Sequence, residues 1–98
     1  MDQLDDTTDL AELLGLVATG DEVALARLWH AVAPILLGLC LKLLRRRHAA
    51  EDALQESFVR IWHKAGQYDP ALGRPLSWMA TVARNVALDQ LRRERHRG

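Results

Sequence analysis

The chain has 98 residues, nearly half of them hydrophobic, with thirteen basic and thirteen acidic side chains and a single cysteine. That length fits one small domain whose core is real but marginal. One cysteine excludes an internal disulfide framework and any multi-cysteine zinc site. Few aromatics, abundant Leu and Ala, three prolines and almost no alternating pattern argue for an all-α domain.

The balanced net charge hides an asymmetry. Met1 to Glu22 carries seven acids and no base, and Pro75 to Gly98 carries five arginines against Asp89 and Glu94. A basic end of this kind is an electrostatic footprint for nucleic acid even in a neutral chain. The acidic residues 1–9 read as a solvated tail or as a shield for that end. The N-terminus is too acidic for a signal peptide, and the longest apolar run, Ala31 to Leu41, is too short to span a bilayer. The expectation is a cytoplasmic protein without a membrane partner.

Four helices are predicted, the second long and central to a small bundle. The first covers about residues 10–19. Asp9 and Glu12 form a capping-box variant, and Leu10, Leu13, Leu14 and Val17 make one apolar stripe. Gly20 stops it and Asp21 caps the next helix. The second runs over about 22–46 and is apolar on most sides, with Pro34 expected to kink it. Arg45, Arg46 and Arg47 suit its C-terminal end, where cations meet the negative pole.

The third helix is predicted over about 49–65, ended by Gly66. Leu54, Phe58, Ile61, Trp62 and Ala65 share its inner side. The outer side holds Asp52, Gln55, Glu56, Val59 and His63. Val59 among acids reads either as one stray surface valine or as the centre of an interface for a basic protein partner. The segment "GQYDPALGRP" is a loop, 66–74, and Pro75 opens the last helix, about 75–96.

On the last helix Trp78, Met79, Val82, Ala83 and Val86 form the buried side, with Trp78 at its boundary. Ser77, Thr81, Arg84, Asn85, Leu88 and Arg92 form the other. Hydroxyls, an amide and spaced arginines are the donors that meet phosphates and bases, and they also make an ordinary solvated face. Tyr68 and Arg74 lie in the loop beside this face, where an aromatic can stack an unpaired base or pack as a lid. His30, His48, His63 and His96 are scattered, and no metal-ligand, phosphate-loop or nucleophile motif is present, so neither an enzyme nor a metal or other cofactor is expected.

The strings "AEDALQESFVRIW" and "LSWMATVARNVALDQLRRERHR", joined by a Gly/Pro loop and preceded by "GDEVALARLWHAVAPILLGLCLKLL", resemble domain 2 of bacterial sigma factors of the extracytoplasmic-function (ECF) type. The likeness runs from about Leu10 to Arg97. It implies a subunit that brings core RNA polymerase to chosen promoters and recognises and melts the −10 element. Carried over, Asp52, Gln55 and Glu56, with Val59 beside them, meet the clamp helices of the polymerase β′ subunit. Asn85 contacts a base at the upstream edge of the −10 element, and Tyr68 and the loop through Gly73 hold a flipped base, a role that a one-residue gap shifts to Asp69. Arg84, Arg92 and Arg93 grip phosphates. No step requires a catalytic side chain.

The resemblance also implies an anti-sigma factor as a partner. It implies a second domain that reads the −35 element; the chain stops at Gly98 in what resembles the linker, as a fragment or a one-domain relative. The alternative is a helical module that binds only protein, a decoy for polymerase or its controllers. It would keep the face of Asp52, Gln55 and Glu56 and have no need of Asn85.

Overall fold

The computed structural model describes residues 10–97. Four α-helices follow one another: α1 (Leu10–Ala18), α2 (Glu22–Leu44), α3 (Arg47–Lys64) and α4 (Pro75–Arg97), with a single 3-10 turn, Ala65–Gln67, after α3. The architecture is the all-α bundle that the composition predicts. The acidic leader and the Asp9 cap lie outside the described residues.

α1 ends in a Schellman motif built on Gly20. The Gly20 N–H donates to Val17 at 2.9 Å and the Asp21 N–H to Leu16 at 3.2 Å, and Gly20 has φ +93°, which a side chain would resist. The next residue starts α2: the Asp21 carboxylate accepts from the Ala24 N–H at 3.1 Å, as an N-cap should. Gly20 and Asp21 thus stop one helix and start another within two residues.

α2 is the central element and packs on α1, α3 and α4. Its buried row is Ala24, Leu28, Val32, Leu36, Cys40 and Leu44, one residue per turn, with Ala33 beside it. Each large member contributes roughly 1.5–3 kcal/mol by leaving water. Pro34 faces solvent and the helix continues through it. By length and composition α2 is apolar enough to cross a bilayer, which corrects the estimate based on Ala31–Leu41 alone. In the fold its buried row supplies the middle of the core.

The α2–α3 junction differs from the prediction. α2 ends at Leu44, not Arg46, because Arg45 turns into the left-handed region (φ 63°) and its N–H caps Leu41. Arg46 is extended and α3 begins at Arg47. The three arginines therefore form the corner between two helices and not the last turn of one. Arg46 pairs with Glu94 of α4, and Arg47 with Glu51 at 2.9 Å. These contacts leave no room for the dipole argument at Arg47, which stands at a positive helix end.

Into the core α3 sends Leu54, Phe58 and Ile61, as its periodicity predicts, and also Ala49, Ala50, Ala53 and Ser57. The Ser57 hydroxyl is satisfied by the Ala53 carbonyl at 2.6 Å. Phe58 meets Trp29 edge to face, with ring centroids 4.8 Å apart. Gly66 lies inside the 3-10 turn and is not a left-handed stop. From α4 come Met79, Ala83, Val86 and Ala87, all fully buried, while Trp78 and Val82 are half-buried.

Candidate functional site

Contacts between α3 and α4 fix how the two candidate faces lie. Arg46 at the head of α3 meets Glu94, Arg60 near its end meets Asp89, and Tyr68 after it meets Trp78. The two helices thus run antiparallel, and the outer side of α3 borders one flank of α4.

On α3, Asp52 and Gln55 are exposed, and Val59 keeps 55% of its surface in water. Val59 is not isolated. It lines a groove of about 490 Å³ between α2 and α3 with Leu25, Trp29, Phe58 and Trp62, and Gln55 stands at the same opening. An apolar groove rimmed by Gln55 and Glu22 has the layout of a small protein-docking surface. Glu56 is half-buried and already engaged. One oxygen accepts from Arg60 at 3.0 Å, and the other lies 3.8 Å from Arg93. Asp52 opens instead onto a polar cleft of about 260 Å³ shared with Arg46, His48, Gln90, Arg93 and Glu94.

On α4, Ser77, Thr81, Arg84 and Asn85 are exposed. The Thr81 hydroxyl donates to the Ser77 carbonyl at 3.0 Å, so in this state it serves its own helix. Among the described residues no ion pair holds Arg84 and no side-chain hydrogen bond holds Asn85. Asn85 therefore presents both its donor and its acceptor to solvent. Leu88 is half-buried. Arg92 is exposed, but it lies 3.2 Å from Asp89, which also takes Arg60 at 3.3 Å. Two of the arginines expected to face phosphate, Arg92 and Arg93, are thus drawn toward α3 carboxylates or toward Asp89.

The loop between them is closed. The Tyr68 hydroxyl donates to the Gly73 carbonyl at 2.8 Å and its ring leans on Trp78, centroids 5.9 Å apart. Asp69 makes a turn, with its carboxylate accepting from the Ala71 N–H at 2.9 Å and its carbonyl from Leu72 at 2.9 Å. Tyr68 is half-buried as a lid over the loop, and Asp69 has spent its side chain on the turn. Leu72 is raised at the loop tip, 85% exposed, and Arg74 is exposed where α4 starts.

Sequence reasoning missed Arg60, which ties Glu56 to Asp89, and Leu72. The Glu56–Arg60 spacing of four is a visible signal on one helix, but the Asp89 contact depends on the register between helices. Among the described residues no group of three or more His, Cys, Asp or Glu side chains is placed to hold a metal ion. Cys40 lies wholly inside α2's buried row, where burial raises its thiol pKa and keeps it protonated.

A family model, Sigma-70 region 2, matches residues 25–97. The ECF RNA polymerase sigma factor SigK of Mycobacterium sp. (strain KMS) is 36% identical over 88 residues, which cover 90% of this chain and 46% of that protein. SigK of Mycobacterium ulcerans (strain Agy99) is 34% identical over 86 residues, 88% of this chain and 46% of that one. SigK of Mycobacterium tuberculosis (strain ATCC 25177 / H37Ra) is 33% identical over 88 residues, 90% and 47%. The chain spans about half the length of the curated relatives it matches.

Proposed function

Because the chain belongs to the Sigma-70 region 2 family, we propose that it acts as domain 2 of an ECF-type sigma factor, docking on the β′ clamp helices of core RNA polymerase and reading and opening the promoter −10 element. The observation that carries the DNA part is the pair Arg84 and Asn85, exposed on α4 with no protein partner among the described residues. An amide with free donor and acceptor can hydrogen-bond a base edge, and a neighbouring guanidinium can neutralise a phosphate. Ser77, Thr81 and Arg74 extend that row toward the loop, Arg92 extends it toward the end of the helix, and Arg93 stands on the flank that borders α3.

Opening follows from capture. Extruding a base costs a few kcal/mol, and a rigid receptor offsets that cost best when it is already formed. The loop held by Tyr68, Gly73 and the Asp69 turn is such a preformed wall. Its backbone and the Tyr68 ring edge form the receptor, so Tyr68 acts by shaping the loop as well as by touching the base. The chemistry of RNA synthesis belongs to the polymerase, and this domain is not an enzyme.

The polymerase part rests on Gln55 and Val59 at the α2–α3 groove and on Asp52, exposed on α3 over the neighbouring polar cleft, with Glu56 held beside them. An anti-sigma factor covering either face would silence the domain. Its place of action is the cytoplasm, with no membrane partner. A −35-reading domain belongs to the same proposal, as a separate unit.

Copurification with core polymerase tests the reading. Asp52→Arg and Gln55→Ala each lower recovery while leaving the helical circular dichroism intact. Asn85→Ala lowers affinity for a single-stranded −10 oligonucleotide and leaves polymerase recovery unchanged. The ion pairs of Arg92 and Arg93 favour a second reading, a module that binds only protein. Equal oligonucleotide binding by the Asn85→Ala variant and the parent chain would select it.

A further inference from the structure

We infer that Arg60, a residue of α3 outside both candidate faces, is a positioning residue that keeps Arg92 and Arg93 available to DNA phosphates. The inference rests on the reading above. Two carboxylates, Glu56 and Asp89, stand between α3 and α4, and three guanidinium groups compete for them. Arg60 reaches both, at 3.0 Å and 3.3 Å. Among the described residues Arg92 reaches only Asp89, at 3.2 Å, and Arg93 only Glu56, at 3.8 Å.

Exposure separates the three arginines. The side chain of Arg60 is 31% exposed, while those of Arg92 and Arg93 are 64% and 62% exposed. Arg60 is therefore the internal counter-ion, shielded from water by α3 and α4. Arg92 and Arg93 are outer ones that a phosphate can reach and exchange. With Arg60 present, Glu56 and Asp89 each keep a cation when Arg92 and Arg93 swing to DNA. Without it, those carboxylates hold Arg92 and Arg93 in place, because leaving a half-buried carboxylate unpaired is unfavourable. Arg60 need never touch nucleic acid to set how many arginines α4 offers.

The readout is the salt dependence of binding. For single strands the slope of log K against log salt is about 0.7 per phosphate contact, so each captured arginine lowers affinity about fivefold at 0.1 M salt. The measurement is fluorescence anisotropy of a labelled single-stranded oligonucleotide with the 98-residue chain across a salt series. Arg60→Gln shallows the slope by about 0.7 to 1.4. Adding Asp89→Asn, which restores the parent's net charge and frees Arg92, recovers at least half of that loss. Asp89→Asn alone changes affinity less than twofold, so the two substitutions are non-additive. Arg60→Met, which keeps the aliphatic stem, repeats the loss and decides the matter should the Gln variant fail to fold.

A slope unchanged in the folded Arg60 variants overturns the inference, as does an Asp89→Asn effect of equal size in both backgrounds, which signals bulk charge alone. A purely structural Arg60 would lower the melting temperature without that coupling. Absence of salt-dependent binding by the unaltered chain overturns the DNA reading of α4 itself and with it this role.

Discussion

Arg45→Gly should make the protein more stable, although it deletes a charged side chain. Arg45 is the one residue other than glycine with positive φ among the described residues, at 63°, and it terminates α2. A Cβ in that conformation crowds the following carbonyl at a cost of roughly 1–2 kcal/mol, and glycine removes the crowding. Against this, glycine loses about 0.4–1 kcal/mol more entropy on folding. The side chain offers no compensation, because Arg45 is exposed and joins no ion pair among the described residues. Its cap bond survives, since the donor is the backbone N–H to Leu41 at 2.8 Å.

At the centre of these ranges the difference is a gain of about 0.8 kcal/mol, which in a domain of this size raises the melting temperature by about 3–6 °C. Thermal unfolding followed at 222 nm measures it. Arg45→Ala separates the causes: it deletes the same charge but retains the Cβ, so it stays within about 0.5 kcal/mol of the parent. If glycine lowers the melting temperature, or matches alanine, the left-handed turn is not what limits the junction.

Other outcomes follow from single contacts. Asp21→Ala removes the side-chain acceptor of the Ala24 N–H and costs about 1 kcal/mol in denaturant unfolding. Tyr68→Phe keeps the ring on Trp78 but frees the Gly73 carbonyl, so amide exchange in residues 69–74 accelerates while global stability falls by less than about 1 kcal/mol. Cys40 is fully buried and its thiol pKa lies above the ordinary 9.0, so native protein resists thiol reagents that label it after unfolding. The sign of the pH effect follows. Above about pH 9 the unfolded thiol ionises before the native one, so this group's stabilising contribution is full below that pH and is lost as pH rises from there through the raised native pKa.

The faces were legible because helical periodicity is a property of one segment at a time. A rotation of about 100° per residue put Leu54, Phe58 and Ile61 inside and left Gln55, Val59, Arg84 and Asn85 outside, where the structure has them. Gly20 and Asp21 were equally readable, since their side-chain chemistry is specific to stop and start. The α2–α3 corner was not. A run of arginines has good helix propensity, and nothing local marks Arg45 as the residue that reverses its φ. The break is set by the tertiary contacts around it, including burial of Ala49 and Ala50 and the Arg46–Glu94 pair. The small buried residues of α3 were passed over because a wheel drawn from large apolar side chains gives Ala53 and Ser57 no weight.

The ion pairs that tie Arg92 and Arg93 to the protein do not disqualify them as phosphate ligands. An exposed pair is worth about 0–1 kcal/mol, because water and salt screen both partners. Exchanging such a carboxylate for a phosphate is therefore nearly free in energy, and the pair restrains an otherwise mobile side chain near its target. The same weakness gives the arrangement its sensitivity. When α4's outer arginines are held by fractions of a kcal/mol, the nearest better-shielded cation decides whether they can leave, and that cation is Arg60. A contact made by α3 thereby bears on what α4 presents, and the antiparallel pairing of the two helices makes the face proposed for polymerase and the face proposed for DNA share one set of charges.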